Sequence, residues 1–190
     1  MGFGVPKPSG TVYLTAADQN GMMVSYIQSN YLGFGSGIVV PGTGISLQNR
    51  AFGFNLKEGH PNQVGGAKRP FHTIIPAFLM KNSQPEMSFG MMAGPMQAQG
   101  HVQLMLRMFV YGQNPQAAAD GPRWQVLEGR NVAIEEDFST DVLSQLEARG
   151  HQLHRKPRQP FFGGAQLIYR MQNGYCGASE PRKEGQAVGF

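Results

Sequence analysis

The sequence predicts an α+β fold in which hairpins come first, a helix pair follows, and more strands close the chain. Three observations carry this. Two runs rich in β-branched and aromatic residues flank an Asn-Gly pair near the start. Apolar residues at Val102, Met105, Leu106 and Phe109 follow the i, i+3, i+4, i+7 spacing of an amphipathic helix. The 190 residues include 26 Gly and 13 Pro, which supply many turns and exclude a helical bundle or coiled coil.

Residues 1–10 (MGFGVPKPSG) read as a loop, with two prolines, three glycines and no periodicity. Thr11 to Ala17 and Met22 to Ser29 read as strands joined through Asp18-Gln19-Asn20-Gly21, where Asn and Gly both tolerate positive φ. After the glycine-dense Gly33–Gly37, short strands are expected at Ile38–Val40 and Ile45–Leu47 around Pro41-Gly42-Thr43-Gly44. Residues 53–69 read as a long surface loop of the kind that often carries function. A second hairpin is expected from Thr73 to Met80 and Glu86 to Gly90, with Lys81–Pro85 as its turn.

The amphipathic helix should run for about 12 to 14 residues. Asn114-Pro115 starts a shorter one that Gly121-Pro122 stops. Ser139 or Thr140 can cap a third, burying Val142, Leu143 and Leu146 and ending at Gly150. Val132–Ile134, Ala165–Arg170 and Tyr175–Ala178 complete the strands, the last two joined by Gln172-Asn173-Gly174. No internal repeat and no linker between two domains is visible.

Composition narrows the function classes. With 41% hydrophobic residues the chain can bury a sizeable core, so disorder is not expected. Single Cys176 excludes an intrachain disulfide framework and a multi-cysteine zinc site. No apolar run approaches the roughly 18 to 20 residues that span a bilayer, and the start lacks the pattern of a signal peptide. A net charge of +4 on only 15% charged residues points away from nucleic acid.

Several constellations are weak as sites. Gly33-x-Gly35-x-Gly37 runs into Ile-Val-Val rather than the helix that a phosphate loop needs. Of the five histidines (His60, His72, His101, His151 and His154), only the last two are close in sequence, without carboxylates or thiols nearby, so no metal is expected. The basic stretch from Arg149 to Arg158 reads as a solvated loop. There is no Gly-x-Ser-x-Gly elbow. Thr11 stands out because it joins loop to strand directly after Gly10. A cut there would give Thr11 a free α-amine with a reference pKa of about 7.7 to 8, able to act as base for its own hydroxyl.

Taken together, residues 11–190 resemble the small (C-terminal) subunit of γ-glutamyltranspeptidases, which are N-terminal-nucleophile hydrolases. The resemblance rests on the order of Thr11-Val-Tyr-Leu-Thr-Ala-Ala-Asp18, Phe34-Gly-Ser-Gly-Ile38, Pro41-Gly-Thr-Gly-Ile45 and Lys68-Arg-Pro70. Asn114-Pro-Gln-Ala-Ala-Ala-Asp-Gly-Pro-Arg123 and Gly177-Ala-Ser-Glu-Pro-Arg182 complete it.

The resemblance implies half of an αββα four-layer sandwich, and a precursor that cuts itself between Gly10 and Thr11. It implies amide hydrolysis or acyl transfer through an acyl-threonine ester, with no cofactor. Thr11 matches the nucleophile, Ser29 the hydroxyl that supports it, and Ala93 and Gly94 the adjacent glycines whose N–H groups form the oxyanion hole. Tyr31, Arg50, His72 and Thr73 fall at substrate-binding positions, but with changed residues. Arg50 and Gly53 stand where the family places a polar residue and an aspartate that hold the substrate's α-carboxylate and α-amine. His72 and Thr73 replace paired serines, and Tyr31 replaces an asparagine.

These departures predict a γ-glutamyl or glutaryl-like amide donor whose carboxylate is held by Arg50, as in cephalosporin-acylase-like relatives. The implied partner is a large subunit of the same precursor, with no nucleic acid or membrane involved and a homo-oligomer compatible. The rival expectation is a non-catalytic assembly half that acts only beside that partner. The compartment, cytoplasmic or exported, is not legible.

Overall fold

The computed structural model describes residues 10–157 and 160–190. Expectations for residues 1–9 and for Arg158 lie outside the described residues. Strands β1 (Thr11–Ala17) and β2 (Met23–Ser29) form an antiparallel hairpin in which Thr11 pairs with Ser29. The connection is wider than a two-residue Asn-Gly turn, since the Asp18 N–H donates to the Met22 carbonyl at 3.0 Å. The Asp18 carboxylate accepts from the N–H groups of Asn20 and Met22, both at 2.9 Å, so an Asx device shapes the loop.

A four-stranded antiparallel sheet follows the order β3-β4-β8-β9, with β3 (Ala77–Lys81), β4 (Gln84–Met91), β8 (Ala165–Met171) and β9 (Gly174–Ser179). The β3–β4 turn is only Asn82-Ser83, both at positive φ (49° and 61°), so Pro85 lies inside β4, at a register shift of the kind where a strand tolerates proline. Strand β3 begins four residues later than expected and leaves Thr73 in irregular chain. Instead of the expected strands at Ile38–Val40 and Ile45–Leu47 there is one isolated bridge, Val39 to Ser46.

Helices α1 (Met96–Phe109) and α2 (Pro115–Asp120) cover one face of this sheet. Met87, Phe89 and Met91 of β4 meet Leu104, Met108, Ala118 and Ala119 there and form the main core with β8 and β9. The other face of β4 carries the hairpin, so the described residues stack as hairpin, sheet and helices.

The buried face of α1 differs from the one the spacing predicts. Val102, Leu106 and Phe109 are exposed, and the sheet side shows Met96, Gln97, Gly100, His101, Gln103, Leu104 and Met108. Close approach decides the face, because Met91 lies against Gly100, where a Cβ would meet its sulfur at 1.8 Å. The polar residues on this side are used as well. Gln97 Oε1 accepts from the Ile75 N–H at 3.0 Å, and Gln103 binds both the N–H and the carbonyl of Trp124, at 3.0 and 2.8 Å. Gln103 thereby anchors β5 (Trp124–Glu128), a strand that hydrophobic periodicity does not reveal.

Strand β5 pairs with β6 (Asn131–Glu135), which pairs in parallel with β7 (Gln152–Lys156) across α3 (Thr140–Ala148). Half of the basic stretch expected to be a loop is therefore β7. Ser139 caps α3 by accepting from the Val142 N–H at 3.4 Å, but only Leu143 is buried. Val142 points to solvent and Leu146 is half-buried.

His101 is 9% exposed, lies edge-on to Phe89 with ring centroids 5.0 Å apart, and its Nε2 has no hydrogen-bond partner. Burial pushes its pKa down to about 4. The folded state therefore binds fewer protons than the unfolded state below the ordinary value of 6.5. Stability associated with neutral His101 is complete above about pH 6.5 and is lost as the pH falls toward 4. His101→Leu should flatten the loss of stability across that window, as measured by urea unfolding at pH 7 and pH 4.5.

Candidate active site

A cleft of about 660 Å³ opens beside the start of β1 and is lined by Thr11, Ser29, Tyr31, Arg50, Thr73, Ala93 and Gly94. The structure thus gathers seven of the residues singled out in the sequence from five separate segments. Hairpin register places Ser29 opposite Thr11, and the Thr11 hydroxyl donates to Ser29 Oγ at 2.8 Å. Ser29 Oγ also accepts from the Tyr31 N–H at 2.9 Å, so its lone pairs are turned to its neighbours. Gly10 packs against the backbone of Gly33, where an added Cβ would come within 2.9 Å of the carbonyl oxygen. The Gly33 carbonyl therefore borders the exposed Gly10 on the approach to Thr11.

Arg50 sits in a short 3-10 turn (Arg50–Gly53) and is only 5% exposed. Its guanidinium donates to Thr73 Oγ1 at 3.0 Å and to the Ser29 carbonyl at 3.1 Å, and lies 5.3 Å from the Tyr31 ring centroid. Thr73 and Tyr31 thus hold the guanidinium itself. Among the described residues Arg50 has no carboxylate partner, and burial lowers its pKa below the usual arginine value. A desolvated cation without a counter-charge is costly to keep, and a carboxylate entering the cleft would relieve that cost.

Ala93 and Gly94 link β4 to α1 with φ of +93° and +53°. Among the described residues neither N–H donates a hydrogen bond, whereas their carbonyls accept from Met96 and Gln97 at 3.1 and 3.0 Å. Two such amides at the start of a 14-residue helix are an arrangement able to donate to an anion.

His72 is not part of this arrangement. It is exposed, does not line the cleft, and its Nδ1 accepts from the Ile74 N–H at 3.2 Å. The lining also includes Gln97, Gln125, Phe161, Arg182, Lys183 and Glu184, none of which was singled out as a site residue. Arg182 closes one of the recurring motifs, the one available signal for that wall. A somewhat larger groove of about 740 Å³ runs along β1 beside residues 185–190, but lacks Ser29, Arg50 and the Ala93–Gly94 pair.

With this geometry in place, the comparisons decide the family. Residues 3–190 match the Gamma-glutamyltranspeptidase family profile. The chain belongs to the γ-glutamyltranspeptidase family. It is 36% identical to the glutathione hydrolase-like YwrD proenzyme of Bacillus subtilis (strain 168), over 97% of this chain and 37% of that protein. It is 35% identical to the oxamate amidohydrolase proenzyme of Klebsiella pneumoniae, over 96% of this chain and 36% of that protein.

Among solved structures, cephalosporin acylase from Bacillus halodurans superposes with a TM-score of 0.87 at 49% identity, over 94% of this chain and 34% of that one. The chain therefore spans about a third of the length of these relatives. Its fold is the α+β, N-terminal-nucleophile hydrolase type expected for the small-subunit region of γ-glutamyltranspeptidases.

Ala93 is the strained member of the amide pair, because φ of +93° is a region that side chains other than glycine rarely adopt. Ala93→Gly is expected to stabilise the fold by about 1 kcal/mol, read as an increase in thermal midpoint.

Proposed function

We propose that this chain is the nucleophile-bearing part of an amide hydrolase or acyltransferase of the γ-glutamyltranspeptidase type, with residues 11–190 as the mature region and Gly10–Thr11 as the cut. The observation that carries the reading is the shared cleft, where the Thr11 hydroxyl bonded to Ser29 shares one cavity with the free amides of Ala93 and Gly94. In the uncut chain the Thr11 nitrogen is a peptide N–H and cannot accept a proton. Hydrolysis of the Gly10–Thr11 bond converts it to an amine.

In the proposed reaction Thr11 Oγ1 attacks the donor's amide carbon while the α-amine takes the hydroxyl proton. The amides of Ala93 and Gly94 hold the developing oxyanion. The amine then passes its proton to the leaving nitrogen, the C–N bond breaks, and an acyl-Thr11 ester remains. Water or an acceptor amine cleaves that ester by the reverse sequence. Ser29 orients Thr11, and Arg50, held by Thr73 and Tyr31, takes the donor's carboxylate as a charged fork. A γ-glutamyl or glutaryl-like amide fits this chemistry, with no cofactor required. The buried, unpaired Arg50 and the cephalosporin acylase and oxamate amidohydrolase relatives both support a donor of this kind.

The exposed outer face of the hairpin favours an assembly requirement as well. Val12, Leu14, Val24 and Tyr26 are all about half exposed on one side of β1 and β2. A face of that kind suits a covering subunit. The remaining part of a proenzyme of the relatives' length is the partner we assign to it.

Intact mass and N-terminal sequencing of the protein expressed with its partner region should show a fragment beginning at Thr11, and Thr11→Ala should leave the chain uncut and inactive. Recovery of uncut wild-type protein alone would reject the threonine nucleophile. Arg50→Ala should raise KM for glutaryl amides roughly 10- to 100-fold, the loss of charge-assisted hydrogen bonds. An unchanged KM would remove Arg50 from the substrate site.

A further inference from the structure

The inner face of the hairpin carries a row of hydroxyls beside the apolar Met23 and Ile27. Thr11, Tyr13 and Thr15 alternate along β1 toward β4, with Ser25 and Ser29 opposite them on β2. The Tyr13 hydroxyl and Ser25 Oγ are 2.7 Å apart, Ser25 Oγ donates to the Phe89 carbonyl at 3.4 Å, and Thr15 pairs with Ser88. Tyr13 is 7% exposed, and its ring lies flat against the backbone of Gly90 in β4. A Cβ at Gly90 would meet Cδ2 and Cε2 at 2.3 Å and Cγ at 2.8 Å, where ordinary contact begins at 3.4 Å. Gly90 is extended rather than left-handed, so this residue is small because of the ring and not because of its φ.

The position of this contact gives it a consequence for the site. Tyr13 is two residues from Thr11 on the same face of β1, and Gly90 is three residues before Ala93 along the chain that leaves β4. Arg50, by contrast, is tied to the hairpin through the Ser29 carbonyl. Arg50 is thus bonded on both sides, to the hairpin at Ser29 and to Thr73 ahead of β3, while the oxyanion amides follow β4 directly.

We propose that Tyr13 is a positioning residue whose ring, seated on Gly90, sets the distance between the Thr11 hydroxyl and the Ala93–Gly94 amides. The inference rests on the proposed function of this cleft. A methyl at Gly90 displaces the ring, and the hairpin with it, by about 1 Å, and misplacement of that size can cost about 100-fold in rate. Because Arg50 keeps its Thr73 anchor as well as its bond to the hairpin, the donor's carboxylate stays held and the loss falls on kcat rather than KM.

The test is steady-state kinetics on the processed enzyme assembled with its partner region, using a chromogenic γ-glutamyl or glutaryl amide. Gly90→Ala should lower kcat about 100-fold with KM changed by less than about threefold. Adding Tyr13→Val in the same protein should recover at least about tenfold of the loss. If Gly90→Ala does not fold, the comparison moves to Tyr13→Phe, which keeps the ring, and Tyr13→Val, which does not. Tyr13→Phe should then retain far more of kcat at similar KM. Unchanged kcat in Gly90→Ala, a loss that the double variant does not relieve, or a parallel rise in KM overturns the inference while leaving the nucleophile assignment intact. A processed wild-type enzyme with no amide hydrolysis overturns the reading of the cleft, and this inference with it.

Discussion

Much of the chain is tied together by one buried charge cluster. Arg182 pairs with Glu135 at 2.6 Å and with Glu180 at 2.7 Å, and Arg123 approaches Glu180 at 3.6 Å, all with side chains at most 3% exposed. The guanidinium groups also donate to the carbonyls of Ala119, Gly121, Phe162 and Gly163. The cluster therefore joins the end of β6, the end of α2 and the segment after β9. Removing one partner from such a cluster typically costs about 3–5 kcal/mol, because the others remain buried and charged. Burial and the Arg182 charge push Arg123 down to about 10. Burial also opposes charge on Arg182, but the two carboxylates outweigh it and raise its pKa. By fixing Arg182, the cluster fixes the 182–184 wall of the cleft.

Arg50 is the informative contrast. It is buried like Arg123 and Arg182, but it bonds to a hydroxyl and a carbonyl, and no carboxylate among the described residues neutralises it. Arg182 lines the same cleft but is neutralised by Glu135 and Glu180, whereas Arg50 is left without a counter-charge among the described residues. A structural arginine that lacked its anion would be a poor use of burial, whereas a binding arginine needs that vacancy.

What was legible in the sequence follows the range of the signal. The β-branched and aromatic runs of β1 and β2 and the β8–β9 hairpin are local signals, and each strand end lies within a residue of where the sequence placed it. Strands β5 and β7 were not legible, because β5 is held by the side chain of Gln103 and β7 by parallel pairing across α3. The face of α1 was misread for a related reason. Gly100 and three polar residues contribute little to a hydrophobic pattern, but they are what lets the helix sit close on Met91. The site residues came through as separated motifs whose order, not periodicity, identified them. Gln125 and Glu184 carried no motif and entered the cleft only through tertiary placement.

The hairpin connects these points. A two-stranded ribbon is marginal by itself, and this one turns hydroxyls toward β4 and apolar side chains outward. Its inward contacts combine directional hydrogen bonds, one ring on a glycine and the buried Met23, which fix its position but leave the outer apolar face uncovered. The driving force that would hold it down lies on the opposite face, where Val12, Leu14, Val24 and Tyr26 await a cover. On the proposed function, the strand that carries the nucleophile is therefore the element whose stability depends most on assembly. Covering the outer face would press Tyr13 onto Gly90 and the Thr11–Ser29 pair toward the Ala93–Gly94 amides, so that association and catalytic geometry are two effects of the same burial.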